Sequence, residues 1–514
     1  MWQDSVMPGA PVSNDFKGAW RILLHQPLAP LLLLLALCGC GSHSSTPPVA
    51  TTPPPTSALQ ALANQPSQGV GLGFQLTDGS VMFQGADSFS WFKLTPDQSG
   101  SYLKGTWSQA ATLPAGYAPQ DFSSAVLADG RLVIVGGEYN FGSFVLTNLA
   151  AIYDPLADTW TPLAAPAGWD YIGESPSVVL PDGRFLVGRK LDMQMAALDP
   201  ATLQWTAFAS TGKSDFNAEE GWTLLPDGSL LTVDVKNAPN SEKYIPSAQT
   251  WIGTGSTVVD LHSPHTGCLT YGGGCYNPPG EVGPAVLRPD GSVFATGSKS
   301  AAGPGHTAIY TPPAVLTDAG TWVAGPDFPN NDDAGDSFAV LLPSGHVLVE
   351  GNSGTLYEFD GQTLSSHDTV AQGDSLMVLP TGEVIVGGGQ VQIYTALGQP
   401  LASWAPTITA SPASVTRGST YSISGTQFNG LSQAAAFGDE LETATNYPLV
   451  RIANQATGHI FYARTHDHST MAVATGSAIV STNFDVPALM ETGPSTLQVV
   501  ANGIPSMSVS VTVN

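Results

Sequence analysis

The sequence has little charge, and positive charge is the scarcest part of it. Only 11% of the 514 residues are charged, and 16 Lys and Arg stand against 41 Asp and Glu, which leaves a formal net charge of −25. A surface of this sign repels phosphate backbones and anionic lipid headgroups. Nucleic acid is therefore excluded as a partner, and a basic membrane-binding surface is excluded as well.

Long helical patterns are missing downstream of residue 70, whereas glycine (56) and proline (41) are abundant. Between residues 68 and 405, an apolar run, a Leu-Pro-Asp-Gly-like turn and a second apolar run recur seven times. The seven turns end at Gly79, Gly130, Gly183, Gly228, Gly291, Gly345 and Gly382. Asp-Gly between β-prone runs indicates a hairpin, and an interval of about 50 residues is typical of a propeller blade. The pattern predicts an all-β fold with a seven-bladed β-propeller.

Cysteine is also scarce, and two of the four cysteines end the N-terminal segment. Lys17 and Arg21 precede an apolar stretch that is too short to span a bilayer, and Leu-Cys-Gly-Cys follows it. This arrangement resembles the bacterial lipobox, which implies that Cys40 is the lipidated first residue of the mature protein. We expect residues 1–40 to be a lipoprotein signal and residues 41–67 a Ser/Thr/Pro-rich tether. An ordinary signal peptide or an uncleaved anchor is the alternative.

The residue that follows Cys40 bears on localisation. Gly41 stands where resembling lipoproteins that stay in the inner membrane have Asp. We therefore expect an outer-membrane lipoprotein that faces the periplasm or the surface, with the lipid anchor as its one attachment to the membrane.

The other two cysteines, Cys268 and Cys275, are seven residues apart across a Gly-rich loop. Thiols beyond the inner membrane are oxidised, so we expect a disulfide between them. A metal site would need more ligands than these two residues.

Aromatic residues recur after the turns. Tyr153 and Trp160 are seven residues apart in the second blade, and Tyr244 and Trp251 repeat that interval in the fourth. Together with the Gly-Gly pair that begins at Gly136, they resemble the kelch family, in which such residues pack each blade against the next. We interpret these aromatic residues as core rather than as a ligand cage.

Residues 406–514 change character, because alternating Val, Ser and Thr with hairpin signals predict an immunoglobulin-like β-sandwich. A kelch propeller at residues 68–405 followed by such a sandwich resembles galactose oxidase and glyoxal oxidase. That resemblance implies copper on the propeller axis, held by two tyrosines, one of them cross-linked to a cysteine, and by two histidines. The sequence has no Tyr-His pair and no spare cysteine, and only His466 matches the expected Thr-His ligand. A radical-copper oxidase is therefore disfavoured.

Carboxylates stand where that family places its metal ligands. Six of the seven blades have one eight to ten residues before the turn glycine: Asp121, Glu174, Glu219, Glu281, Asp336 and Asp374. These positions lead into the innermost strands, whose ends line one mouth of the propeller channel. Converging carboxylates repel one another, so the group is expected to bind a cation or to have raised pKa values.

In the oxidases that this chain resembles, a loop of the terminal domain reaches into the propeller channel. The resemblance therefore implies that the loop with His466 and His468 meets these carboxylates from the other side. Such a mixed nitrogen and oxygen site would suit a divalent metal. The alternative is that the carboxylates cap turns and the two histidines pack a domain interface.

Catalytic motifs are absent from the sequence, since it has neither a Gly-x-Ser-x-Gly elbow nor a phosphate-binding loop. The sequence therefore predicts a non-catalytic, lipid-anchored envelope protein that binds a glycan, a protein or a cation. Two alternatives stay open: an oxidoreductase of the galactose oxidase type with a remodelled metal site, and an envelope scaffold that has no small-molecule ligand.

Overall fold

The computed structural model describes residues 57–263, 280–299, 303–370, 375–437 and 443–514, together with the backbone of two short strands, Leu269–Tyr271 and Gly274–Tyr276. The predicted signal segment with Cys40, most of the predicted tether, Cys268 and Asp374 lie outside the described residues. The side chain of Cys275 does as well, so the predicted disulfide stays a prediction.

Seven antiparallel sheets form the blades of a propeller within the described residues, each with four strands of its own, and the sheet of blade 6 gains a fifth strand from the C-terminal domain. From the innermost strand outwards they are Val70–Gln75, Val81–Gly85, Trp91–Thr95 and Thr106–Ala110 (blade 1); Ser123–Val126, Leu132–Val135, Ala150–Asp154 and Thr159–Pro162 (blade 2); Ser177–Val179, Phe185–Gly188, Met195–Asp199 and Gln204–Phe208 (blade 3); Thr223–Leu224, Leu230–Val233, Asn240–Ile245 and Thr250–Ser256 (blade 4); Val282–Leu287, Val293–Gly297, Thr307–Thr311 and Thr321–Ala324 (blade 5); Ala339–Leu341, Val347–Glu350, Thr355–Phe359 and Leu364–Thr369 (blade 6); and Leu376–Val378, Val384–Val386, Gln392–Thr395 and Ala58–Ala61 (blade 7).

The innermost strands of neighbouring blades contact one another, and they therefore line a central channel. These contacts join blade 2 to blade 3, and they join blades 4, 5, 6, 7 and 1 in that order. Blade 7 takes its outermost strand from the start of the described chain, where Ala58–Ala61 pairs antiparallel with Gln392–Thr395. This pairing removes an exposed strand edge and joins both ends of the propeller. Residues 58–61 were predicted as part of the tether, and that part of the prediction is wrong.

The repeated turns explain why each blade begins as a hairpin. All seven turn glycines have φ between 78° and 89°, a left-handed conformation that glycine adopts at low cost. In blade 2 the Gly130 N–H donates to the Leu127 carbonyl oxygen at 2.9 Å, and the Leu127 N–H donates to the Arg131 carbonyl oxygen at 2.8 Å. These two hydrogen bonds close a three-residue hairpin loop.

The aromatic pairs are part of the core, as predicted. Tyr153 and Trp160 lie opposite each other on neighbouring strands, with ring centroids 5.2 Å apart. Trp160 also packs on Trp91 of blade 1 at 5.0 Å. The pair therefore holds two blades together, because each buried ring covers a large apolar area.

The C-terminal strands form an antiparallel arrangement with one parallel pair, between Ser414–Val415 and Val509–Val513. They are Thr407–Ala410, Ser414–Val415, Thr420–Thr426, Leu449–Asn454, Ile460–His466, Val480–Asp485, Gly493–Ala501, Ile504–Pro505 and Val509–Val513. Alternate residues of these strands, including Val450, Phe484 and Leu497, form a separate apolar core. The prediction of a propeller followed by an immunoglobulin-like sandwich is confirmed.

Helix is almost absent from the described residues, which contain only the short 3₁₀ turns Pro329–Asn331 and Ala402–Trp404. Among these residues, no helix has the length and apolar character needed to cross a membrane.

One segment of the C-terminal domain enters the propeller channel. Its strand Ala435–Ala436 pairs antiparallel with the innermost strand of blade 6. The Gln433 side-chain oxygen accepts a hydrogen bond from the Leu224 N–H of blade 4 at 2.8 Å, and the Tyr447 hydroxyl donates to the Gln75 carbonyl oxygen of blade 1. Contacts with three separated blades place the segment on the axis.

Candidate functional site: an acidic mouth around a buried lysine

The predicted carboxylates lie at the ends of the innermost strands opposite to the hairpin turns. Five of the six are described, and each stands one to four residues before the start of its strand: Asp121, Glu174, Glu219, Glu281 and Asp336. The charges of Asp336 and Glu219 act on Asp121, and Glu281 shares a hydrogen bond with Asp336. The structure therefore brings the five together, and we call this group, with Glu138 and Lys190, the acidic mouth.

Lys190 occupies the bottom of the acidic mouth. Its side chain is only 1% exposed, and its Nζ lies 3.2 Å from Glu138 Oε1 and 2.8 Å from Glu219 Oε1, with Glu174 in closer contact still. A buried ammonium is stable only when carboxylates and hydrogen bonds compensate for its lost hydration. Lys190 thus supplies a fixed positive charge where the sequence predicted a metal ion.

Sequence reasoning missed Lys190 and Glu138 because neither lies at the position that the other carboxylates share. Both follow the second strand of a blade, Glu138 in blade 2 and Lys190 in blade 3. The rarity of basic residues could have pointed to Lys190. In so acidic a chain, a lysine beside a glycine at a strand end is a candidate partner for carboxylates.

Three carboxylates of the mouth have a left-handed backbone. The φ angles are 51° at Asp121, 57° at Glu219 and 48° at Asp336, all at the position nine residues before a turn glycine. This conformation is uncommon outside glycine and costs of order 1 kcal/mol or more per residue. Because it recurs in three blades, the same backbone conformation presents each of these carboxylates to the channel mouth.

The pKa values follow from burial and mutual repulsion. Removal from bulk water, with the charges of Glu138 and Asp336, raises the pKa of Asp121 to about 7, although Lys190 opposes the shift. The side chain of Asp336 reaches the surface, but the protein atoms packed around it weaken its hydration, and this desolvation, followed by the charge of Glu219, raises its pKa to about 6. Burial, followed by Glu219, also raises the pKa of Glu281 well above its usual value. The mouth therefore holds protons near neutral pH that a cation could replace.

Accessibility increases from the bottom of the mouth outwards. Glu174 and Glu219 are buried with Lys190, Asp121 and Glu281 are half-buried, and Asp336 is exposed. A solute can therefore meet the outer carboxylates without displacing the lysine.

An aromatic hairpin extends from the same mouth. Strands Pro119–Gln120, Tyr139–Asn140 and Ser143–Phe144 form a small sheet outside the blades, directly after Glu138 and before Asp121. The Tyr139 ring meets Phe144 edge-on at 5.8 Å, while Phe141 and Phe144 are 57% and 41% exposed. Burial and the charge of Glu138 raise the pKa of Tyr139 to about 12. An exposed apolar surface thus adjoins the carboxylates.

His466 and His468 lie at the other end of the channel. The His468 N–H donates to the carbonyl oxygen of Ala128, in the blade 2 turn, at 3.1 Å, and its Nδ1 lies 2.9 Å from Thr482 Oγ1. Burial lowers the pKa of His468 to about 3. His466 lies between two carboxylates of its own domain, 2.8 Å from Asp467 and 3.2 Å from Asp485.

The expectation that both histidines meet the predicted carboxylates is therefore wrong. The physical reason is that a different loop of the C-terminal domain, with Ala435–Ala436, enters the channel. The alternative interpretation, in which the histidines pack an interface, agrees with the observed contacts.

Copper of the kind that the fold family implies does not fit the donors present at the mouth. Carboxylates and an ion-paired ammonium replace imidazoles and phenolates, and the pKa of the neighbouring Tyr139 is raised, which opposes phenolate formation. Within the described ranges, each imidazole with a hydrogen-bond partner pairs with a group outside the mouth.

Comparison with known proteins supports the fold. No family model matches the chain. The curated kelch-like protein terF of Aspergillus terreus is 29% identical over 93 residues, which are 18% of this chain and 20% of that protein. The match thus spans about a fifth of the relative's length. The solved copper complex of a fungal alcohol oxidase of the AA5 family aligns over 89% of this chain and 99% of its own, with a TM-score of 0.50 and 14% identity.

These findings define a kelch-type β-propeller with galactose-oxidase-like architecture. At 14% identity the likeness to the oxidase shows the fold alone. A streptogramin B lyase structure, which has a TM-score of 0.42 and 12% identity over 66% of this chain, aligns too loosely to inform function.

Proposed function

We propose that this chain is a non-catalytic binding protein whose acidic mouth takes a cationic ligand. The observation that carries the proposal is the imbalance of charge there, since among the described residues five predicted carboxylates and Glu138 gather around the ammonium of Lys190. Protons hold part of this excess charge at neutral pH. A ligand with positive charge would replace those protons and relieve the repulsion.

The aromatic hairpin supports an organic cation over a bare metal ion. Phe141 and Phe144 offer exposed ring surface next to Asp121 and Glu138. Aromatic faces attract ammonium and guanidinium groups and also stack on apolar parts of a ligand. A ligand that combines an amine with an apolar or sugar-like body would contact both surfaces. Amino sugars of a glycan and basic side chains of a protein both belong to this class, and glycans and proteins are the partners that the sequence predicts.

The cellular setting of the proposal comes from the N-terminal sequence. Lipidation of Cys40 would attach the propeller to the bacterial outer membrane through the tether that follows it. Radiolabelled palmitate incorporation that is lost in Cys40→Ser would support this assignment. A soluble, unlabelled wild-type chain would refute it.

The binding proposal is tested by calorimetric titration of the full chain with spermine and, separately, with Ca²⁺. In Asp121→Asn/Asp336→Asn, we expect spermine binding to weaken by about tenfold or more, because each tenfold step corresponds to about 1.4 kcal/mol. The matched control Asp182→Asn/Asp290→Asn removes two charges from the hairpin turns at the opposite end of the strands, and it should bind as the wild type does. Absence of spermine binding, or spermine binding that is unchanged in Asp121→Asn/Asp336→Asn, would refute the proposal.

An oxidoreductase with a remodelled metal site is favoured by the fold likeness alone, and the donors at the mouth do not fit copper. Peroxide production from alcohols or aldehydes in the presence of copper would favour it over our proposal. A stable envelope complex without cation binding would instead favour the scaffold.

A further inference from the structure

A second acidic group is buried inside blade 4, away from the acidic mouth. Asp215 and Glu220 lie on the loop before the blade, Asp234 follows its second strand, and Glu242 lies in its third. All four carboxylates are at most 1% exposed, and Lys213 is buried with them. We call these five residues the blade 4 cluster.

Three of the four carboxylates have clear partners. Both oxygens of Glu220 contact Lys213 Nζ, at 2.9 and 2.8 Å. Asp215 Oδ2 accepts hydrogen bonds from the backbone N–H groups of residues 235 and 236 at 2.7 and 2.8 Å. Glu242 accepts the Asp215 N–H at 2.8 Å and the Ser214 hydroxyl at 2.7 Å. The backbone and Lys213 thus compensate for these charges.

Asp234 is different, because its Oδ1 is buried and has no hydrogen-bond partner among the described residues. One carboxylate oxygen from each of Asp215, Glu220 and Asp234 lies within 4.8 Å of the others. The side-chain hydrogen bond that Asp234 does make is with an acid, Glu242. A buried carboxylate oxygen that is left unsatisfied is costly, and either a proton or a cation removes that cost. The geometry suits a cation because one ion can contact three oxygens at these separations.

We propose that the blade 4 cluster binds one hard divalent cation of the calcium class, with Asp234 as its essential ligand and Asp215 and Glu220 as further oxygen donors. Oxygen-only donors favour calcium over zinc or copper, and water molecules can supply the remaining positions of the roughly six to eight that calcium takes. The competing explanation is a proton shared by Asp234 and Glu242.

The cation would also order the loop that builds the acidic mouth. Glu219 and Glu220 are neighbours in the chain, yet Glu219 contacts Lys190 in the mouth while Glu220 contacts Lys213 in the cluster. Holding Glu220 in place therefore holds Glu219 in place. This inference does not depend on the proposed function of the mouth.

The test is a calcium titration of the full chain after treatment with a chelator. We expect one Ca²⁺ per chain and a melting temperature that rises with the logarithm of free calcium. Asp234→Asn should abolish both effects. The control Asp227→Asn, in the turn of the same blade, and the mouth variant Asp121→Asn/Asp336→Asn should retain them.

Three results would overturn the inference: no calcium bound by the chelator-treated chain, calcium binding unchanged in Asp234→Asn, or loss of binding in the mouth variant instead. If Asp234→Asn does not fold, Tb³⁺ luminescence of the wild type provides the readout. Tryptophan-sensitised emission should appear, fall when Ca²⁺ competes, and weaken in Trp251→Phe, whose ring lies 4.9 Å from Lys213 Nζ.

Discussion

The two ends of the innermost strands use the same residue type in opposite ways. At the turn end, Asp290 faces water and accepts the Ser292 N–H and hydroxyl, and these hydrogen bonds overcome partial burial and lower its pKa. At the mouth end, Asp121 faces other carboxylates, and its pKa rises to about 7. A carboxylate is therefore structural where local hydrogen bonds satisfy it, and it is available to a ligand where most of the charged groups around it are other acids.

The largest effect on stability is expected from replacing Lys190, which compensates the buried carboxylates of the acidic mouth. Lys190→Met should lower the free energy of unfolding by about 3–5 kcal/mol, because it leaves buried carboxylates without their cation. Chemical denaturation measures the change, and Glu174→Gln in the same chain should restore part of the loss. The control Lys93→Met, in a strand of blade 1, should change stability by less than about 1 kcal/mol. An equal loss in both variants would contradict a special role for Lys190.

The next effect concerns the pH dependence of the mouth. Asp121 binds a proton more tightly in the folded state, where its pKa is about 7, than in the unfolded chain, where an aspartate has its ordinary pKa of 3.8. Stability should therefore decline as pH rises through this window, since the folded state binds more protons there than the unfolded state does.

Asp121→Asn removes this decline. The variant should be more stable than the wild type at pH 8, by about 1–2 kcal/mol after allowance for solvent at the mouth, and equal to it near pH 4. Asp290→Asn should show the opposite sign, losing stability at neutral pH, because its folded-state pKa is lowered. Thermal unfolding across pH 4–8 checks both. The same slope in both variants would refute the difference between the two strand ends.

Turn glycines should differ according to what surrounds them. Gly130→Ala should cost about 1–2 kcal/mol for the left-handed backbone and more for steric conflict, because the added Cβ would lie 2.7 Å from Thr77 Oγ1 and 3.1 Å from the Thr465 carbonyl oxygen. Gly183→Ala has a similar φ, but its nearest new neighbour is 3.7 Å away, so only the backbone cost applies. Denaturation of the two variants should therefore rank them. A larger cost at Gly183 would contradict the account of the turns.

The sequence predicted those features that repeat from blade to blade. Hairpin turns depend on local chemistry, so the spacing of the turn glycines was sufficient to predict the propeller. The position of Asp121 and Asp336 just before an innermost strand was sufficient to predict that they lie at the same mouth. The strand Ala58–Ala61 was not predicted, because a short Ala-rich segment has no periodic pattern. It forms a strand because it pairs with the third strand of blade 7, which has no other outer strand. Docking of the C-terminal domain decides which loop enters the channel, and no local pattern near His466 encodes that choice.

The most direct test of the acidic mouth as a cation site is proton release during binding. Calorimetric titration with spermine at pH 6.5, in two buffers of different ionisation enthalpy, measures the protons exchanged per ligand. Our account predicts that the wild type releases protons on binding and that Asp121→Asn/Asp336→Asn releases fewer and binds more weakly. Binding that releases no protons and is unchanged in that variant would contradict it.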